Sequence, residues 1–266
     1  MQYRVADMIL EFHGDPPLEE SRLWAPFRIE EETRADYRFY RYYCRELPTD
    51  PRGHYFYDGV KERNYAHSLE EGNSLTIHAL ADSLPWAKKI SQIYEEMALP
   101  HVFLNKGRII LHASYIEHQG MGIIFTAPSG TGKSTQADLW QLHRGAQILN
   151  GDRAVIGLRG ETPYVFGFPM SGSSPYCENR NLPLCCIVSL LQGPENRIRR
   201  LKGKEALRVI LNGTYSDPKH RDDFIRNMDT AVELLKTPIF ELSCRPDVGA
   251  VEALEEAIRG LSSSTT

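Results

Sequence analysis

Hydrophobic and polar positions alternate through the first third of the chain and shift to a helical spacing beyond it. Tyr3, Val5, Met8 and Leu10 predict a first strand, and residues 36–45 a longer one. In that second stretch Tyr37, Phe39 and Tyr43 share one face, with Tyr40, Tyr42 and Cys44 on the other. Residues 53–57 and 74–79 predict two more short strands. Between the first strand and the one at 36–45, Pro16, Pro17, Pro26 and an acidic cluster make residues 14–34 read as loop. At Pro85 the period changes: Trp86, Ile90, Ile93 and Met97 fall on one face of a helix that Pro100 would stop.

Past that point strands and helices interleave. Residues 108–117 predict a strand returning across Gln119-Gly120 into a short apolar strand at 120–126. Residues 133–144 predict a helix, with Ala137 and Trp140 on one face, and 146–150 another strand. Residues 155–158 and 164–168 read as a hairpin, and 184–191 as a central strand. Helices are expected at about 203–212 and 219–236, a last strand at 239–244, and a closing helix over 247–259 ended by Gly260. The pattern predicts an α/β protein: a β-rich N-terminal region over 1–84, an α/β domain over 85–260, and a flexible tail over 261–266.

Between the strand at 120–126 and the helix at 133 lies Ala127-Pro-Ser-Gly-Thr-Gly-Lys-Ser-Thr135. A small residue, four residues and then Gly-Lys-Ser fit a phosphate-binding loop, with Ala127 in place of the usual first glycine. Gly130 and Gly132 let the backbone N–H groups from Ser129 through Thr131 to Thr135 converge on phosphate oxygens. Lys133 would reach the β- and γ-phosphates, and the Ser134 hydroxyl would hold Mg²⁺. Strand, glycine loop and helix N-terminus in that order suit an anion, because helix dipole and free N–H groups point the same way.

Composition narrows the field. The 266 residues are 41% hydrophobic and 25% charged, enough for one large or two modest domains. A formal charge of −4 gives no electrostatic case for nucleic acid or an anionic membrane. No apolar stretch approaches the roughly 20 residues of a membrane span, and the N-terminus lacks a signal-peptide pattern. Five cysteines, without a Cys-x-x-Cys pair, indicate neither a disulfide framework nor a zinc site. A cytoplasmic protein is expected.

Further candidates surround the loop. Asp152, at the end of the 146–150 strand, suits a metal ligand or a base, though Asp also favours such turns. His112 lies on an otherwise apolar strand, where a packed core histidine competes with a catalytic one. Arg153 and Arg245 could neutralise a transferring phosphoryl group or form surface ion pairs. Ser171, Ser173 and Ser174 suit either an acceptor or phosphate contact or a tight turn; Glu178 and Asn179 are weaker candidates. Arginines among the tyrosines of 36–45 read as a ligand surface or as a twisted sheet packing on the second domain.

His112-Ala-Ser, Phe125-Thr-Ala-Pro-Ser-Gly-Thr-Gly-Lys-Ser and Leu149-Asn-Gly-Asp-Arg together resemble the HPr serine kinase/phosphorylase catalytic domain, whose nucleotide core is shared with phosphoenolpyruvate carboxykinase. The resemblance is specific over roughly 105–160, diffuse to about 258, and does not extend to 1–80. It implies a P-loop kinase domain, phosphorylation of a hydroxyl by ATP and Mg²⁺, commonly serine on a protein or peptide, and homo-oligomers. It also implies Lys133 and Ser134 on phosphate and metal, Asp152 at the metal or as base, and His112 near the phosphates. The family usually carries two consecutive acids at the strand end, where this chain has Gly151 and Asp152. Its arginine-glycine phosphorylase signature is not evident, so phosphorolysis is not expected. A non-catalytic nucleotide-binding partner in a peptide-modification system and a nucleoside-triphosphate hydrolase are the alternatives.

Overall fold

The computed structural model describes residues 1–83, 88–216, 220 and 222–262, the last by its backbone alone. It separates into two compact units, Met1–Val102 and Phe103–Thr266. The boundary the sequence suggests, near residue 84, touches residues 84–87, which lie outside the described residues.

The first unit is built on a mixed seven-stranded sheet. Its strands are β1 (Gln2–Val5), β2 (Met8–Asp15), β3 (Arg28–Ile29), β4 (Tyr37–Cys44), β5 (His54–Asp58), β6 (Arg63–Glu71) and β7 (Ser74–Leu80). Their order is β3-β1-β2-β4-β7-β6-β5, with β2, β4 and β7 parallel and the remaining pairs antiparallel. The first predicted strand is a hairpin: Ala6 and Asp7 adopt positive φ (49° and 62°) and turn the chain after Val5. Two successive residues in that region give the tight turn that suits strand twist. β6 escaped the sequence reading because Arg-Asn-Tyr-Ala-His-Ser-Leu-Glu-Glu is too polar to show an apolar period. One face of the sheet holds an aromatic cluster. Phe12 stacks on Phe39 at 4.7 Å, and Trp24 meets Tyr3 and Phe12 edge-on at 5.2 and 5.3 Å.

The helix expected over 85–97 is corrected. Pro85 and Trp86 lie outside the described residues, and beyond them only Ile90–Gln92 forms a single 3-10 turn. Ala98 at φ 47° breaks any continuation, and Pro100 sits in the first turn of α1 (Leu99–Leu104), where its missing N–H costs nothing. Ile90, Ile93 and Met97 are nonetheless fully buried, so their spacing reported burial and not helix.

Among its described residues the second unit has eight strands: β8 (Arg108–His118), β9 (Met121–Thr126), β10 (Gln147–Asn150), β11 (Arg153–Arg159), β12 (Thr162–Phe166), β13 (Leu182–Gln192), β14 (Arg197–Leu201) and β15 (Ile239–Cys244). Its helices are α2 (Lys133–Arg144), α3 (Gly203–Gly213), α4 (Asp223–Glu233) and α5 (Val248–Ser262). β9 lies between β8 and β13; β9, β13 and β15 run parallel, so Thr126, Gln192 and Cys244 end on one edge. The parallel strands read as apolar runs because both faces are covered. On one face Ala137 and Trp140 of α2 and Val251 and Leu254 of α5 pack on Ile123, Phe125 and Val188. On the other, Ala206 and Ile210 of α3 and Ala231 of α4 pack on Leu111, Ile124 and Ile187.

β8 positions the site. Residues 108–112 pair with β11 while 115–117 pair with β10, so the strand changes partner immediately after His112. Two further corrections concern a missed strand and a helix end. β14, Arg-Ile-Arg-Arg-Leu, is an edge strand whose charges hid it. α5 runs through Gly260 to Ser262, which shortens the tail to 263–266, residues outside the description.

Candidate functional site

The loop from Ala127 to Gly132 joins β9 to α2 at the parallel edge of the second sheet. Gly130 (φ 77°) and Gly132 (φ 115°) both hold left-handed conformations, and Gly132 is the N-cap of α2. Side chains are strained there, so glycine is needed for the loop to close over the helix end. The first N–H groups of an α-helix have no intrahelical acceptor, and the residues that supply them here, Lys133 to Thr135, border an open cleft of about 550 Å³. Lys133 is only 8% exposed and donates from Nζ to the carbonyls of Ala127 at 2.9 Å and Pro128 at 3.3 Å. Burial pulls its pKa down, and the carboxylate of Asp152 opposes the shift.

Across the cleft stand His112 and Asp152. Asn150, 1% exposed, builds the turn that presents the acid: its Oδ1 accepts from the N–H groups of Asp152 and Arg153, while its Nδ2 donates to the carbonyls of Phe168 and Met170. Ser114 ties the same turn to β8 by donating to the Gly151 carbonyl at 3.1 Å. His112 Nδ1 lies 3.4 Å from Asp152 Oδ1. Burial lowers the imidazole pKa, Lys133 and Arg153 add to the effect, and Asp152 opposes it. His112 is thus no packed core histidine; its ring lines the cleft and contacts its acid.

Ser129, Gly130, Gly132, Lys133, Ser134, Thr135, Asp152 and Ser173 all line this cleft with His112. Thr131 faces a neighbouring cleft of about 370 Å³, also lined by Gly130, Gly132 and Thr135, and there Arg245 is found. Arg245 is exposed and paired with Asp247 at 3.0 Å, on the opposite flank of the loop from Asp152. Arg153 is half-buried, with Nε 3.3 Å from Asp152 Oδ2. Ser171 is buried in a tight turn, its Oγ donating to the Ser174 carbonyl. Glu178 and Asn179 are exposed and line neither of these clefts.

Gly151 has a steric explanation. A Cβ there would lie 2.2 Å from Ser174 Oγ, so any side chain would collide with the 171–174 turn. Gly172, at φ 56°, closes the opposite side, where a Cβ would come within 2.7 Å of Asp152 Oδ2. Asp152 is therefore held between two positions that only glycine fills in this packing.

No family model and no curated protein matches the chain. Among solved structures, the HPr(Ser) kinase/phosphatase from Coxiella burnetii is similar over 58% of this chain and 98% of that one. The identity is 13% and the TM-score 0.35.

Sequence reasoning missed Asn150, Ser114 and Tyr215. Asn150 left a trace, since Asn-Gly-Asp after a strand is a turn signal in which the amide can bond two residues on. Tyr215 left none: it follows α3, 103 residues from His112, yet its hydroxyl lies 3.1 Å from His112 Nδ1.

Proposed function

We propose that this chain is a cytoplasmic P-loop kinase of the HPr-kinase-like type, transferring the γ-phosphoryl group of ATP to a hydroxyl of a protein, peptide or small molecule. The observation that carries the reading is the single cleft in which a glycine loop, a helix N-terminus, Lys133, Asp152 and His112 converge. Phosphoryl transfer asks little covalent chemistry of a protein, and positioning with charge neutralisation supplies most of the rate. The loop and the helix end would grip the phosphates. Lys133, now resting on two loop carbonyls, would turn its ammonium onto them. Ser134 and Asp152 are hard oxygen donors lining the same cleft and fit a magnesium ion, which would neutralise phosphate charge when bound. Asp152 or His112, in contact with each other, would take the acceptor proton.

Calorimetry with magnesium nucleotide, followed by phosphoryl transfer from γ-labelled ATP, tests the proposal. Binding with transfer to a hydroxyl is the expected result; absence of any heat of binding would sink it. One observation favours a second reading, a nucleotide-binding partner without catalysis: the 171–174 turn fills the space beside Gly151, leaving Asp152 as the acid of this turn. That reading expects binding and no transfer.

A further inference from the structure

We propose that Tyr215 is a positioning residue of this site, holding the His112 imidazole by its hydroxyl and the Arg153 guanidinium by its ring. Four side chains close a circuit. Tyr215 Oη lies 3.1 Å from His112 Nδ1, and that nitrogen lies 3.4 Å from Asp152 Oδ1. Asp152 Oδ2 lies 3.3 Å from Arg153 Nε, and the Arg153 guanidinium carbon sits 4.9 Å over the Tyr215 ring. Each member touches two others, so none can turn without disturbing the next.

The backbone brings Tyr215 there. Its N–H donates to the Ile110 carbonyl at 2.8 Å, and Thr214 bridges Leu111, which zips this segment onto β8 directly before His112. Gly213 permits the approach: a Cβ there would meet Thr126 Oγ1 at 2.9 Å, the hydroxyl that donates to the His112 carbonyl. The tyrosine is thus fixed at both ends, by main chain and by ring.

The consequence is a defined tautomer. With Tyr215 Oη 3.1 Å from Nδ1, the hydroxyl fixes which ring nitrogen carries the proton: as donor it makes Nδ1 the acceptor and leaves N–H on Nε2, as acceptor it holds N–H on Nδ1. Tyr215 acts through His112 and Arg153 and needs no contact with nucleotide.

This inference rests on the kinase reading for its kinetic arm only. Side-chain ¹⁵N NMR of His112 in the full-length protein, without ligand, should show a single tautomer. Tyr215→Phe keeps the ring under Arg153 and should give mixed tautomers or a second set of imidazole signals, with melting unchanged. With MgATP as the probe, Tyr215→Phe should lower kcat about 10-fold and leave KM unchanged, whereas Tyr215→Leu should lower kcat about 100-fold. An imidazole spectrum identical in wild type and Tyr215→Phe would overturn the proposal, as would equal kcat in both. If the wild type turns over no MgATP, the kinase reading fails and the NMR result still decides the role of Tyr215.

Discussion

Both units of this protein bury charge, and they do so to opposite ends. In the first, Arg41 and Glu96 are 1% and 2% exposed and pair at 3.0 Å, with the guanidinium also against Tyr43. The network is closed: Glu96 accepts from Arg41, and burial raises the Tyr65 pKa, which Glu96 raises further. In the second unit Lys133 is nearly as buried, but its partners are two loop carbonyls and its cleft opens to solvent. A charge matched by a fixed opposite charge is committed to structure. One resting on neutral carbonyls beside an opening can be recruited by a ligand.

Breaking the closed pair should have the largest effect. Arg41→Met leaves Glu96 buried without its countercharge and should destabilise the protein by about 3–5 kcal/mol in denaturant melts. Adding Glu96→Leu should restore most of that loss. If the single variant melts like wild type, burial does not distinguish the units. Lys133→Ala sharpens the other side: phosphoryl transfer should fall by roughly 100- to 1000-fold while the melting temperature holds. Wild-type transfer by that variant would end the functional reading of the cleft.

A smaller effect concerns Glu255, which Arg144 and then Arg259 hold below the ordinary carboxylate pKa of 4.5. A lowered folded-state value means the pairing stabilises above the unfolded pKa and is lost as pH falls through the folded one. The melting difference between wild type and Glu255→Gln should therefore be constant near neutrality and shrink below about pH 4.5. Smallest is a reactivity contrast. Burial pushes the Cys177 thiol up to about 11, so iodoacetamide at pH 8 should modify it slowly in the native protein and readily after denaturation. Fast native labelling, read by peptide mass mapping, would show that the chain around Cys177 opens.

Legibility cut across the two units and depended on whether the local signals agree. The strand before the glycine loop and the helix at 133–144 after it are readable because local period, turn residues and burial agree there. β6 and β14 were hidden because their stability comes from neighbouring strands and not from apolar alternation. The false helix at 85–97 arose from apolar residues buried at helical spacing on an irregular segment. In the cleft, Lys133, Ser134 and Asp152 were legible because motif spacing encodes them. Asn150 and Tyr215 act through contacts with carbonyls and rings distant in sequence, and no local pattern announces such partners.

The collision between residue 151 and Ser174 gives the site a lock. A designer wishing to install a second carboxylate beside Asp152 cannot begin at Gly151, because the hydroxyl opposite already holds that space. The serine would have to be cut back to glycine first, because its Cβ too would lie 2.6 Å from the added carbon, and that change alone would open a gap next to the acid. The two changes are worth making only in that sequence, or together.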